Sequence, residues 1–116
     1  MVRLMAKPLH RAYSRYAREA LSLLGRSIRI ARLERRLTAT EVASRAGISR
    51  SLLQRIEQGD PGSSIGAVFE TAAVVGVALF EPERDRLEMH SVLADAKLAL
   101  LPRAARARIR VVKDAF

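Results

Sequence analysis

Leu9, Tyr13, Tyr16, Ala20 and Leu24 recur at three- and four-residue intervals, the spacing of one face of an α-helix. The pattern predicts a first amphipathic helix beginning after Pro8. It continues through Ile28, Ala31, Arg32 and Leu33 to about Arg36, with Gly25 either breaking it or sitting inside one longer helix. Thr38-Ala-Thr-Glu41 matches a capping box, in which the threonine hydroxyl accepts from the third backbone N–H and the glutamate reaches back. A second helix is therefore expected over residues 39–46. Gly47 supplies the left-handed conformation of a helix stop, and Ser49 caps a third helix running to about Gln58. Gly59-Asp-Pro-Gly62 reads as a turn. Ser63 or Ser64 then caps a fourth helix with Ile65, Val68, Ala72 and Val75 on one face and Gly76 near its end. Pro82 marks a further break. A last helix is expected over roughly residues 83–101, with Met89, Leu93, Ala96 and Leu100 in a narrow stripe, before Pro102 ends it.

The segment from Leu37 to Glu57 thus reads as two short helices joined by a glycine turn. Ala43 is small where the two helices approach, Gly47 permits the turn, and Val42, Ala46, Ile48, Leu53 and Ile56 point inward. Ala43, Gly47, Leu53 and Ile56, at offsets 4, 10 and 13, together with both capping signals, specify a helix-turn-helix. An ordinary helical hairpin with a solvated polar face shares the periodicity. It does not account for the outer face of the third helix, which offers Arg50, Ser51, Gln54 and Arg55. Arginine bonds bidentately to guanine and glutamine to adenine, and serine is permissive, so these four are the candidate base-reading residues in a major groove. The helix N-terminus and amides around Ser49 favour a phosphate.

Charge sharpens this picture. The 116 residues carry 21 Lys and Arg against 12 Asp and Glu, a net charge of +9, distributed unevenly. Residues 1–36 hold a net +8, residues 37–102 a net −3, and residues 103–116 a net +4. Basic arms around a near-neutral centre suit a polyanion, and composition alone leaves DNA, RNA and anionic lipid open. Residues 1–18 are Arg-rich and free of acid, which is also compatible with a transit peptide or a membrane-surface helix. No apolar run approaches the roughly 18–20 residues needed to cross a bilayer. The absence of cysteine leaves no disulfide or thiolate metal site, and a cytoplasmic setting is the expectation. Aromatic residues make up only 4% of the chain, so Ala, Leu, Ile and Val must build the core.

Leu24-Gly-Arg-Ser-Ile-Arg-Ile-Ala-Arg32, Thr38-Ala-Thr-Glu-Val-Ala43, Ala46-Gly-Ile-Ser-Arg50 and Ile56-Glu-Gln-Gly59 resemble the XRE family, the phage-repressor and Cro type of helix-turn-helix. The resemblance covers residues 24–80. It implies a sequence-specific repressor that binds double-stranded DNA, an inverted-repeat operator, as a homodimer. It also implies a largely buried ion pair between Arg32 and Glu57, tying the first helix to the third. Family members often carry glutamine where this chain has Ala39, and that glutamine holds a phosphate or braces a base-reading side chain. Here the anchoring shifts to Thr38, Thr40 or the basic arms.

A narrower resemblance rests on Tyr13-Ser-Arg-Tyr-Ala-Arg-Glu-Ala20, the Gly59-Asp-Pro-Gly62 turn, Val77-Ala-Leu-Phe80 and a short basic tail ending in Phe116. These look like HipB-type antitoxins. The resemblance implies a dimer that represses its own toxin–antitoxin operon and binds a HipA-type kinase toxin. Relatives end in an acidic pair before the final Phe, whereas this chain ends Asp114-Ala115-Phe116.

The expected fold is all-α. A five-helix repressor-like helix-turn-helix domain (24–80) is flanked by an N-terminal basic amphipathic helix (1–23), a C-terminal helix (81–102) and a basic tail (103–116). In the tail Arg103, Arg106, Arg108, Arg110 and Lys113 form either a phosphate-tracking arm or a solvated tail. Ile109, Val111 and Val112 have strand character, suited to pairing with a partner's sheet or across a dimer. The Met89–Leu93–Ala96–Leu100 stripe suits either a dimer interface or packing on the core. His10 and His90 are isolated, and no metal-binding, phosphate-loop or nucleophile motif is present, so neither a cofactor nor catalysis is expected.

Overall fold

The computed structural model describes residues 12–104. The described residues form five helices and no strand: α1 (Arg15–Glu34), α2 (Ala39–Ala46), α3 (Arg50–Glu57), α4 (Ile65–Val75) and α5 (Arg84–Leu100). They divide into two units, the first ending at Leu79 and the second beginning at Phe80.

In the first unit α1 packs on α3 and α4, and α2 packs on α3 and α4. The shared core is Ile28 and Ala31 from α1, Val42 and Ala43 from α2, Leu53 and Ile56 from α3, and Ala72 and Val75 from α4. Ile28, Val42, Leu53 and Val75 are almost wholly excluded from solvent. Each contributes about 1.5–3 kcal/mol by burial. Ala46 and Ile48, expected inside, are half-buried. Thr71 is fully buried and satisfied by donating its hydroxyl to the Ala67 carbonyl at 2.7 Å.

Three details of the helices differ from the sequence pattern. First, α1 starts at Arg15, because the Ser14 hydroxyl accepts the Ala17 amide at 3.1 Å, and it runs unbroken through Gly25. Leu9 lies outside the described residues. The helix stops at Glu34, where Arg36 turns left-handed at φ 57° and the Leu37 amide closes on the Arg32 carbonyl at 3.0 Å. That conformation costs a non-glycine residue about 1–2 kcal/mol. Second, the inward face of α1 is Gly25, Ile28 and Ala31, whereas Tyr16 and Ala20 point outward. At ~100° per residue the Tyr16–Ala20 stripe lies roughly a quarter-turn or more from the core direction. Third, Ile65, expected on the inward face of α4, is exposed at the edge of the buried arc of Thr71, Ala72 and Val75, while Ser64, one of the two serines offered by the sequence, is the cap.

The second unit contains α5. No residue of this helix is buried, so the expected stripe of Met89, Leu93, Ala96 and Leu100 is exposed along with Leu87, Val92 and Leu98. No described helix is long and apolar enough to cross a membrane.

Candidate nucleic-acid interface

The α2–turn–α3 unit is held by local chemistry at each end. Thr38 and Glu41 form a reciprocal capping box: the Thr38 hydroxyl accepts the Glu41 amide at 3.0 Å, and the Thr38 amide donates to Glu41 Oε1 at 2.8 Å. These bonds from Thr38 hold the Glu41 carboxyl below its ordinary value. Gly47 ends α2 at φ 71°, and Ser49 caps α3 by accepting the Leu52 amide at 3.0 Å. Both capping hydroxyls accept with a lone pair, which leaves each O–H able to donate outward.

The placement of α3 on α1 has two causes. Gly25 lets the helices meet backbone to backbone, since a Cβ there would lie 2.6 Å from the carbonyl oxygens of Ile56 and Glu57. Beside it Arg32 meets Glu57 in a fork: Nε to Oε2 at 2.7 Å and Nη2 to Oε1 at 3.1 Å. Nη1 also donates to the Leu37 carbonyl at 3.2 Å. The side chains are only 11% and 9% exposed, which makes this a largely buried pair. Hydrogen bonding to Glu57 raises the guanidinium above its ordinary value, outweighing the burial that opposes charge.

Above this pair lies a groove of about 490 Å³ between α1, α2 and α3. Arg29, Ala39, Arg50, Ser51 and Gln54 line it, and Arg32 and Glu57 contribute to its wall. Ala39 leaves open the space that a longer side chain at the start of α2 would fill. Arg50, Ser51, Gln54 and Arg55 are all exposed. The first three share the groove, while Arg55 is directed elsewhere: its Nε lies 3.6 Å from Asp60 Oδ2 and its Nη1 donates to Ser51 Oγ at 3.3 Å. The geometry adds Arg29, which sequence reasoning passed over. Its signal was its position three residues before Arg32, on neighbouring ground of the same helix. Thr38, Thr40 and Ser49 are exposed at the N-terminal ends of α2 and α3, where first-turn amides favour anions.

Of the basic arm, Arg103 is described and exposed, whereas Arg106, Arg108 and Arg110 lie outside the described residues, as do Lys113, Phe116 and the strand-like Ile109, Val111 and Val112. In the second unit a hollow of about 520 Å³ is lined by Phe80, Glu81, Pro82, Leu87 and His90. Among the described residues no group of His, Asp and Glu is arranged to hold a metal ion.

A family described as a helix-turn-helix domain matches residues 23–87, a span from the middle of α1 to the first turn of α5. No curated protein and no solved structure matches the chain.

Proposed function

The chain belongs to the helix-turn-helix domain family, whose members bind DNA in transcription regulation, and from that premise we propose that it is a sequence-specific repressor acting on its own promoter. In this reading Arg50, Ser51 and Gln54 read base edges in the major groove. Arg55 joins them on leaving Asp60. Thr38, Thr40 and Ser49 hold phosphates with their hydroxyls and the neighbouring amides, and Arg29 adds a cation on the α1 side. Arg32 and Glu57 set the angle of α3 and take no part in readout.

The observation that carries the reading is the gathering of Arg50, Ser51 and Gln54 on one open groove beside two capped helix N-termini. A good bidentate contact discriminates by about 1–3 kcal/mol. Arg50→Ala should therefore lower affinity for the upstream DNA by roughly 5- to 150-fold while leaving affinity for random DNA within a small factor. Equal losses on both duplexes overturn the readout role of Arg50.

A protein partner is a second element of the reading. It is favoured by α5, a helix with Leu87, Met89, Val92, Leu93, Leu98 and Leu100 all exposed. Together with the HipB-like segments this extends the proposal to an antitoxin that binds a HipA-type kinase. Co-expression with the adjacent reading frame tests it: a stable complex lost on α5 substitutions such as Leu93→Glu supports the antitoxin role, and independent elution of the two proteins rejects it.

A further inference from the structure

The outer face of α1 is unusual for a helix anchored in a core. Tyr16, Leu23 and Ile30, each seven residues from the next, are 81%, 58% and 54% exposed. Ala20 and Ser27 stand between them, giving steps of four, three, four and three residues, the repeat of a two-helix seam. The helix has no freedom to turn this face inward, because Gly25, Ile28 and Ala31, centred roughly a third of a turn around α1, lock it to the core.

We propose that this face pairs two copies of the chain, antiparallel along α1, and that the pairing turns both DNA-facing grooves to the same side. A second copy is the occupant that fits by size and by charge. With the two helices aligned antiparallel about a point between Leu21 and Ser22, Tyr16 of one copy lies over Ser27 of the other, and Leu23 over Ala20. Each of these layers then joins a large residue to a small one, the arrangement that fills space, while Ile30 falls opposite Tyr13 at the end of the seam. A parallel alignment instead stacks Tyr16 on Tyr16 and Ala20 on Ala20, one layer crowded and the next hollow. The same antiparallel register brings Glu19 beside Arg26 of the second copy, twice by symmetry. Among the described residues these two are exposed and engaged within their own helix, Glu19 with Arg15 at 3.4 Å and Arg26 with Ser22 at 2.8 Å.

The two-fold axis of such a pair runs perpendicular to the plane of the two helices. At ~100° per residue, Arg26 and Arg29 lie roughly 60° and 120° around α1 from Leu23, in the same rotational sense. On both copies they therefore face the same way along the axis. Arg29 lines the groove with Arg50 and Gln54, so both grooves open to one side, as two half-sites on one duplex require. Pairing by four side chains per copy falls short of the roughly 800 Å² per partner of a standard interface. The free dimer is accordingly weak and reinforced on DNA.

Sedimentation equilibrium of the full chain without DNA tests the pairing. The expected result is a concentration-dependent dimer whose dissociation constant rises at least roughly tenfold in Leu23→Glu. Glu19→Arg and Arg26→Glu should each weaken it, and the two together should restore it, a result that a purely structural role would not give. Because the chain has no cysteine, Tyr16→Cys combined with Ser27→Cys, which face each other in this register and lie roughly three turns apart within one helix, should oxidise to a covalent dimer. A monomer up to about 1 mM, a dimer indifferent to Leu23→Glu, or a double charge swap no better than its single parents overturns the proposal. The pairing does not depend on the DNA reading, only its consequence for the grooves does. Failure of the dimer leaves base readout standing, and nonspecific DNA binding leaves the dimer standing.

Discussion

Removing Glu57 should destabilise the first unit out of proportion to the loss of one side chain. Arg32 is 11% exposed and has three acceptor contacts, two on Glu57 and one on the Leu37 carbonyl. Glu57→Ala deletes the two shorter ones and leaves a guanidinium that cannot shed its proton. Breaking a buried pair in this way costs about 3–5 kcal/mol, against a total stability of roughly 4–12 kcal/mol for a unit of this size. The expected fall in Tm exceeds about 12 °C. The replacement Arg32→Met with Glu57→Leu removes both charges and fills similar volume, so it should recover most of the loss. Urea unfolding followed by circular dichroism measures all three variants, with unchanged m-values licensing the comparison. If Glu57→Ala costs less than about 1 kcal/mol, the pair behaves as a surface pair, and its role in setting the angle of α3 is refuted.

Two glycines should separate by mechanism. Gly25→Ala drives a methyl to 2.6 Å from two carbonyl oxygens and should cost about 1–3 kcal/mol or more by forcing α1 off α3. Gly47→Ala meets no atom within 4 Å and should cost only the left-handed strain, about 1–2 kcal/mol; chemical denaturation reads both. The Glu41 contribution should be fully present above its unfolded value near 4.5 and lost as pH falls through its lower folded value, an acid loss that Glu41→Gln abolishes in pH-dependent melting. In DNA titrations Arg55→Ala should reduce operator preference less than Arg50→Ala, because Arg55 is held by Asp60 and Ser51. Deleting residues 103–116 should leave helicity intact and lower DNA affinity with a shallower salt dependence, measured by circular dichroism and by titration at several salt concentrations.

The helix boundaries from Thr38 to Gly76 were legible because each is marked by local chemistry. Thr38 with Glu41, Ser49 and Ser64 start helices, and Gly47 and Gly76 stop them. The buried face of α1 was not legible. Tyr16 and Ala20 obey helical spacing as well as Ile28 and Ala31 do, and period alone does not say which of two apolar stripes meets the core. Glycine at position 25 was the overlooked marker, since only the packed side of a helix needs a residue without a side chain. At the site, residue types named Arg50, Ser51, Gln54 and Arg55. Only geometry reveals that three share a groove with Arg29 and Ala39 while Arg55 turns to Asp60.

Whether this helix-turn-helix reads a sequence is decided by a binding titration of the purified chain. The duplexes are its own upstream DNA and a scrambled duplex of equal length, each at several salt concentrations. A sequence reader should prefer the upstream DNA by at least roughly a thousandfold, a preference that survives near-physiological salt. Equal affinities that collapse together as salt rises would mean contact with phosphates alone, and would contradict sequence readout.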